Sequence, residues 1–200
     1  MGRKQDTGSG GDRGDGEGRW RRGGVWAGVA VGSTVAALVA VLAPFIAPGL
    51  RSNSPPFIPT TAFHVKTIAR ICAQNNCRRL LDLGSGDGRI PIEVAKHVGI
   101  STVGVELNPW LVAVSRLKSL RAGTWNLTSF VRQDMWRFPV CDFDAVVVFG
   151  VKEMMPQLER KLDTELQPGA LVMSCHFHIP GRMPLHTFTQ GSQTLLLYRW

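Results

Sequence analysis

Hydrophobic and polar positions divide the chain into three regimes. Residues 1–24 are glycine and charge with almost nothing to bury, a composition expected to stay disordered. Residues 25–43 are the reverse, nineteen positions in a row without a charge. From residue 61 onward, short apolar runs alternate with stripes of helical period, the pattern of strands separated by amphipathic helices. Val65, Ile68, Ala69 and Cys72 predict a helix over 61–76. Strands are predicted at 80–83, 101–106, 128–133, 143–149 and 170–177, and helices at 88–98 and 109–122. Another helix starts near Pro156 with Met155, Leu158, Leu162 and Leu166 as its stripe, and segments 185–189 and 194–199 form a hairpin around Gly191. This alternation implies a parallel sheet covered by helices on both faces. Only about eight residues run from Met135 to Asp142, too few for a normal crossover helix, so the domain is trimmed there.

The uncharged run at 25–43 spans roughly 29 Å as a helix, about one hydrocarbon core. Arg19, Arg21 and Arg22 precede it, Arg51 follows it, and Trp20 and Trp26 suit one interface. Gly28 and Gly32 are a small-x-x-x-small pair able to pack on another helix. A signal peptide and a buried core helix are the rival readings. The run is long for a signal segment and no clean cleavage site precedes the prolines, while a core helix this uniform needs partners on all sides. A membrane anchor is preferred. Pro44, Pro48, Pro55, Pro56 and Pro59 then mark a stiff linker over 44–60, where Thr60 or Thr61 is placed to cap the next helix. The expected organisation is a tail at 1–24, a transmembrane helix at 25–43, the linker, and one folded domain at 61–200.

Charge adds a partner class. The chain carries a net +8, which favours anionic surfaces such as lipid headgroups or acidic proteins. No dense Lys/Arg run is interleaved with aromatics, so nucleic acid is not an expected partner. Cys72, Cys77, Cys141 and Cys175 form no Cys-x-x-Cys pair, which suggests free thiols in a reducing compartment. Cys175-His176-Phe177-His178 resembles a metal cluster. On a strand, however, His176 and His178 share one face with Cys175 on the other, so no metal site is expected. Asp6, Asp12, Asp15 and Glu17 argue against a standard matrix transit peptide.

The candidate chemistry centres on the run from Leu80 to Ile90, Leu-Leu-Asp-Leu-Gly-Ser-Gly-Asp-Gly-Arg-Ile. It reads as strand, glycine-dense turn and helix start, with Gly84, Gly86 and Gly88 letting the backbone crowd a ligand. The dinucleotide fingerprint fails because its third glycine position holds Arg89, and no Gly-Lys-Ser/Thr exists for a phosphate loop. Asp82 and Asp87 make the pocket acidic, which suits a cationic or zwitterionic nucleoside. Glu106 follows Gly84 by 22 residues, about the spacing at which an acid accepts ribose hydroxyls. Asp134, at the end of the third strand, is placed to accept from an adenine amino group. Acids at strand ends also cap helices, and Glu106-Leu107-Asn108-Pro109 fits that role with Asn108 as cap and Pro109 at the first helical position.

Asp-x-Gly-x-Gly-x-Gly resembles the first motif of the S-adenosylmethionine (AdoMet) methyltransferases. The fold this implies is α/β, a Rossmann-like seven-stranded sheet, mostly parallel with a C-terminal antiparallel hairpin, here preceded by the transmembrane helix. Gly104-Val105-Glu106-Leu107-Asn108-Pro109-Trp110-Leu111-Val112, Pro56-Phe57-Ile58-Pro59-Thr60-Thr61 and Phe149-Gly150-Val151 with Met154-Met155-Pro156-Gln157-Leu158-Glu159 are more specific. On these segments the chain is similar to a small family of mitochondrial, membrane-anchored protein-lysine methyltransferases. The resemblance implies methyl transfer from AdoMet to a lysine of the ATP synthase c-subunit, with the adenine nucleotide translocase, another substrate, or a non-catalytic AdoMet-binding scaffold as alternatives. It implies a single-pass protein of the mitochondrial inner membrane that meets the bilayer through residues 25–43, and no metal. Cofactor contacts are implied for Asp82, Gly84, Ser85, Gly86, Asp87, Gly88, Arg89, Glu106, Asn108, Asp134, Met135 and Phe149. Glu153 is a candidate to orient the incoming ammonium and take its proton, or is simply a helix N-terminal acid. Thr60 is a candidate to close over the methionine moiety, or is simply a helix cap. The chain departs from the family pattern at His64, where glutamine is usual, at Met135 in the Asp-Leu-Trp motif, and in the C-terminal aromatics.

Overall fold

The computed structural model describes residues 61–200; the tail, the anchor read at 25–43, the linker and Thr60 lie outside the described residues. Helix α1 (Ala62–Gln74) leads into strand β1 (Arg79–Leu83), followed by α2 (Arg89–Val98), β2 (Ser101–Glu106), α3 (Pro109–Ala122), β3 (Thr128–Arg132) and β4 (Ala145–Phe149). A 3₁₀ turn (Lys152–Met154) precedes α4 (Met155–Glu165), and β5 (Leu171–Cys175), β6 (His186–Gln190) and β7 (Gln193–Arg199) complete the sheet. The strand order is β3-β2-β1-β4-β5-β7-β6. Neighbours from β3 to β5 pair in parallel, and β7 runs antiparallel to both β5 and β6. Among the described residues no helix is long and apolar enough to cross a membrane.

The central strands are apolar on both faces because both are covered. Leu80, Ala145, Val147, Met173 and Leu197 join Val65, Ile68 and Cys72 of α1 in one core. Leu81, Leu83, Val146, Val148 and Val172 face the other, against Met155, Leu158 and Leu162 of α4. No helix connects β3 to β4; Val140 and Phe143 of that connection are buried in its place. The four cysteines are free.

Three of the boundaries that differ from the sequence pattern change its reading. The third strand stops at Arg132, so Asp134 lies in the following loop rather than at the strand end. The fourth begins at Ala145. The fifth ends at Cys175 because His176 takes φ 74° and turns its N–H to the Thr194 carbonyl at 3.0 Å. The alternation expected for Cys175, His176 and His178 therefore does not exist.

Helix α3 is built inside out. It buries Val112, Ser115 and Ser119 and leaves Trp110, Leu117 and Leu120 at 52, 47 and 61% exposure. The small inner residues follow from a close approach. A Cβ on Gly88 would sit 2.7 Å from Ser115 Cβ and 2.7 Å from the Phe130 ring, so only small side chains fit between helix and turn. Substitution of Leu158, wholly buried under the sheet, by alanine is expected to lower stability by about 2–5 kcal/mol. The measurement is a reduced denaturation midpoint at unchanged slope.

Candidate active site

The parallel strands deliver their carboxyl ends to one edge, where ligands of open α/β sheets bind. The turn after β1 is pinned there: Gly84 and Ser85 N–H both donate to the Val105 carbonyl at 2.9 and 3.0 Å, and Gly88 N–H to the Ser85 carbonyl at 2.9 Å. Gly84, at φ 83°, is exposed, and nothing lies within 4 Å of where its Cβ would stand. This is the open side of the turn. Ser85 turns away from it, its hydroxyl filling the space beside Gly104 with no hydrogen-bond partner among the described residues.

Glu106 braces the site from β2. One carboxylate oxygen accepts the Gly86 N–H at 3.0 Å and the other the Asn108 N–H at 2.8 Å. The glycine turn and the start of α3 are thereby tied to one half-buried anion. Asn108 is spent as the predicted cap, its Oδ1 accepting from Trp110 N–H at 3.0 Å. Asp87 pairs with Lys118 of α3. Arg89 opens α2 with its side chain exposed. Asp134 accepts the Trp136 N–H at 3.0 Å, a loop-capping bond, and Met135 packs half-buried on the α4-side core.

Asp82 lies within β1 and is almost wholly buried. Burial, then the charges of Glu106 and Asp87, push its carboxyl up to about 8. The ligand-free pocket is thus less anionic at neutral pH than the residue count suggests. Further along the same edge, Phe149 closes β4 against the ring of His64, 4.9 Å away, and His176 stands 5.2 Å from His64. In the sequence, His64 stands out only as a departure from a family pattern, and His176 only as part of an unlikely metal cluster. Burial holds the His64 imidazole below its usual range, so it is neutral near pH 7.

That charge state orders a hydrogen-bond relay. His64 Nε2 lies 3.3 Å from the Thr194 carbonyl, which can only accept, so Nε2 carries the ring proton and Nδ1 is bare. Thr61 Oγ1, 3.0 Å from Nδ1, must then donate to it. Thr61 Oγ1 also meets the side-chain carboxamide of Gln193 in the terminal hairpin. Thr61 therefore occupies the N-cap position of α1 without capping it. Glu153 is exposed in the 3₁₀ turn, three residues past Gly150.

An open glycine face, two carboxylates beneath it and an edge lined by aromatic rings fit a zwitterionic, cationic nucleoside of AdoMet's kind. The fold and site define a Rossmann-like, AdoMet-dependent methyltransferase. Residues 82–186 match the family described as ANTKMT methyltransferase domain, and the chain belongs to that family. The ATP synthase c-subunit lysine N-methyltransferase of Xenopus laevis is 44% identical over 155 residues, covering 78% of this chain and 68% of that protein. Adenine nucleotide translocase lysine N-methyltransferase of Mus musculus is 34% identical over 144 residues, covering 72% and 62%. An RNA methyltransferase from Salinibacter ruber, solved with S-adenosyl-L-homocysteine, aligns with a TM-score of 0.67 at 28% identity over 71% of this chain and 93% of that one. The chain spans about two thirds of the length of the curated relatives it matches.

Asp82 gives a pH test with a definite sign. Its carboxyl is neutral in the folded protein up to about 8 but ionises near 4 when unfolded. Between these values the unfolded state binds fewer protons, so this group makes stability fall as pH rises. In the ligand-free protein Asp82→Asn should remove that fall. The variant gains on the wild type in thermal midpoint from pH 5 to pH 8, whereas a constant offset would mean Asp82 is already ionised.

Proposed function

We propose that the chain is a membrane-anchored protein-lysine N-methyltransferase that methylates a lysine of the ATP synthase c-subunit at the mitochondrial inner membrane. The observation carrying this reading is the 44% identity to a relative of that name over the same residues that build the glycine turn, the Glu106 brace and the Phe149 edge. Residues 25–43 act as the single-pass anchor, 44–60 as linker, and 61–200 as the catalytic domain.

AdoMet supplies a methyl group on a sulfonium, open to displacement by a neutral amine. The chain's own residues do the rest. The open face of Gly84 admits the cofactor close to backbone, with Gly86 tied to Glu106 and Gly88 holding the turn. Glu106 already accepts one N–H on each oxygen, and a carboxylate has capacity for about four such bonds, which leaves room for the ribose hydroxyls. Asp134, beside Met135, is likewise able to accept from the adenine amino group while capping its loop. The sulfonium and ammonium charges draw Asp82 to its ionised form. Ser85, Asp87, Arg89 and Asn108 serve as supports: three are engaged in turn, ion pair or cap, and Arg89 opens α2.

The acceptor must approach from the Phe149 side. A lysine ammonium has a reference pKa of about 10.4, so it has to lose a proton before its nitrogen can attack. Phe149, packed against neutral His64, gives a dry, rigid wall that lowers the cost of the neutral amine relative to the cation. Alignment along that wall supplies most of the rate enhancement. Glu153, exposed in the middle of the adjoining turn, is the candidate to orient the ammonium and accept its proton.

Membranes from cells lacking the protein, incubated with the full chain and methyl-labelled AdoMet, should yield labelled lysine on the ATP synthase c-subunit by mass spectrometry. Label only on the adenine nucleotide translocase would transfer the substrate to the second family branch, and AdoMet binding without any label would leave a scaffold. Glu106→Ala removes the carboxylate read as accepting both ribose hydroxyls, two charge-assisted bonds of about 1.5–3 kcal/mol each. AdoMet affinity should drop at least roughly 100-fold by calorimetry, and an affinity within about threefold of wild type would refute the brace.

A further inference from the structure

The outward face of α3 has no role in the chemistry above. Trp110, Leu117 and Arg121 fall at i, i+7 and i+11, on one line of the helix opposite the buried Val112, Ser115 and Ser119. Leu120 at 61% and Trp125 at 67% exposure flank that line at its far end, and Leu107 at 43% precedes it. Exposed leucines are ordinary one at a time, but a run of large apolar groups on one helix face marks an interaction surface. Its charges are one-sided. Between Glu106 and Asp134 the sequence contains Arg116, Lys118, Arg121 and Arg132 and not one acidic residue. Arg116 donates to the Phe130 carbonyl at 2.7 Å and Lys118 pairs with Asp87, so Arg121, exposed on the apolar line, and Arg132, exposed on the edge strand β3, supply the outward charge.

We propose that this face is an interfacial membrane-docking surface, with Trp110, Leu117, Leu120 and Trp125 at the headgroup–acyl boundary of an anionic bilayer and Arg121 and Arg132 against headgroup phosphates. Tryptophan and leucine with arginine and no acid is the composition of helices that lie in the interface plane. A protein partner of matching charge would need acids, whereas Trp110, Leu117, Leu120 and Trp125 are spread along the helix and past its end, which suits a fluid surface. The proposal rests on the reading of 25–43 as an anchor for proximity: seventeen linker residues reach at most roughly 60 Å, so the domain stays within about that distance of the bilayer. Docked, α3 holds the carboxyl edge of the sheet near the membrane, because it starts directly after Glu106 and Asn108. An acceptor lysine near the bilayer surface then meets the site without leaving its membrane.

The test is photo-crosslinking of the full chain in vesicles containing phosphatidylglycerol, with benzoylphenylalanine replacing Leu117 or, as control, the exposed Arg160 of α4. Lipid adducts at 117 should exceed those at 160 by about fivefold or more and fall about fivefold in Arg121→Gln, the effect of one interfacial cation worth about 1 kcal/mol. Equal labelling at the two positions overturns the proposal. So do adducts at 117 to a second copy, to residues 1–60 of the chain, or to another protein. Trp110→Ser with Leu120→Ser is the second variant: it should retain AdoMet binding, which reports folding, and lose the lipid adducts. Resistance to alkaline carbonate extraction reads the anchor separately. A chain that is extracted yet still labels lipid at 117 refutes the anchor and keeps the docking face, and a chain that is retained without such labelling does the reverse.

Discussion

The carboxyl edge of this sheet depends on how closely three backbones approach one another. The turn at 84–88, strand β2 and the first turns of α3 meet where Gly88 and Gly104 leave no room for a Cβ: at Gly104 it would stand 2.6 Å from Ser85 Oγ and 2.7 Å from the Phe130 ring. Glu106 converts that contact into a fixed geometry by holding one N–H from each side. A carboxylate bonded to two amides is among the stronger polar links a half-buried site can contain. The same closeness explains the serines on the inner face of α3 and, indirectly, why its bulky side chains point outward.

Charge at the site is arranged along the same edge. Glu106 and Asp87 are anchored by N–H groups and by Lys118, respectively, whereas Asp82 is buried near both of their charges. Three carboxylates crowd one pocket, and the buried one relieves the repulsion by keeping its proton. Asp82 is therefore the carboxyl of this pocket whose charge a bound cation would change. The neighbouring His64 imidazole is likewise held below its usual range by burial, so a crowded carboxylate cluster and a buried neutral ring lie along the same edge.

Much of this is legible in the residues. The order of strands and helices follows from apolar periodicity, with β2 and α3 falling on their expected bounds. Glycine spacing and the failed third glycine at Arg89 narrow the ligand class. What the pattern does not reveal has physical causes. Strand alternation extends on paper through His176 because a left-handed backbone at a non-glycine residue leaves no trace in sequence. Asp134 looks like a strand end, but the strand closes two residues earlier. The Gln193–Thr61–His64 relay joins positions about 130 apart in the chain, and long-range polar pairing has no periodicity to detect. The inversion of α3 is hidden as well, since a helix apolar on its outer face and small on its inner one looks like no amphipathic pattern at all.

The Thr194 carbonyl accepts from His64 Nε2 and from the His176 backbone N–H alike. One atom of the terminal hairpin thus fixes two of the rings in the acceptor corner, while the bonds described above for the glycine turn and Glu106 run only among the turn, β2 and α3. Sequence change in β6 and β7 therefore bears on the His64–His176 corner before it bears on the glycine turn. A divergent C-terminal segment is compatible with an intact glycine turn and Glu106 brace.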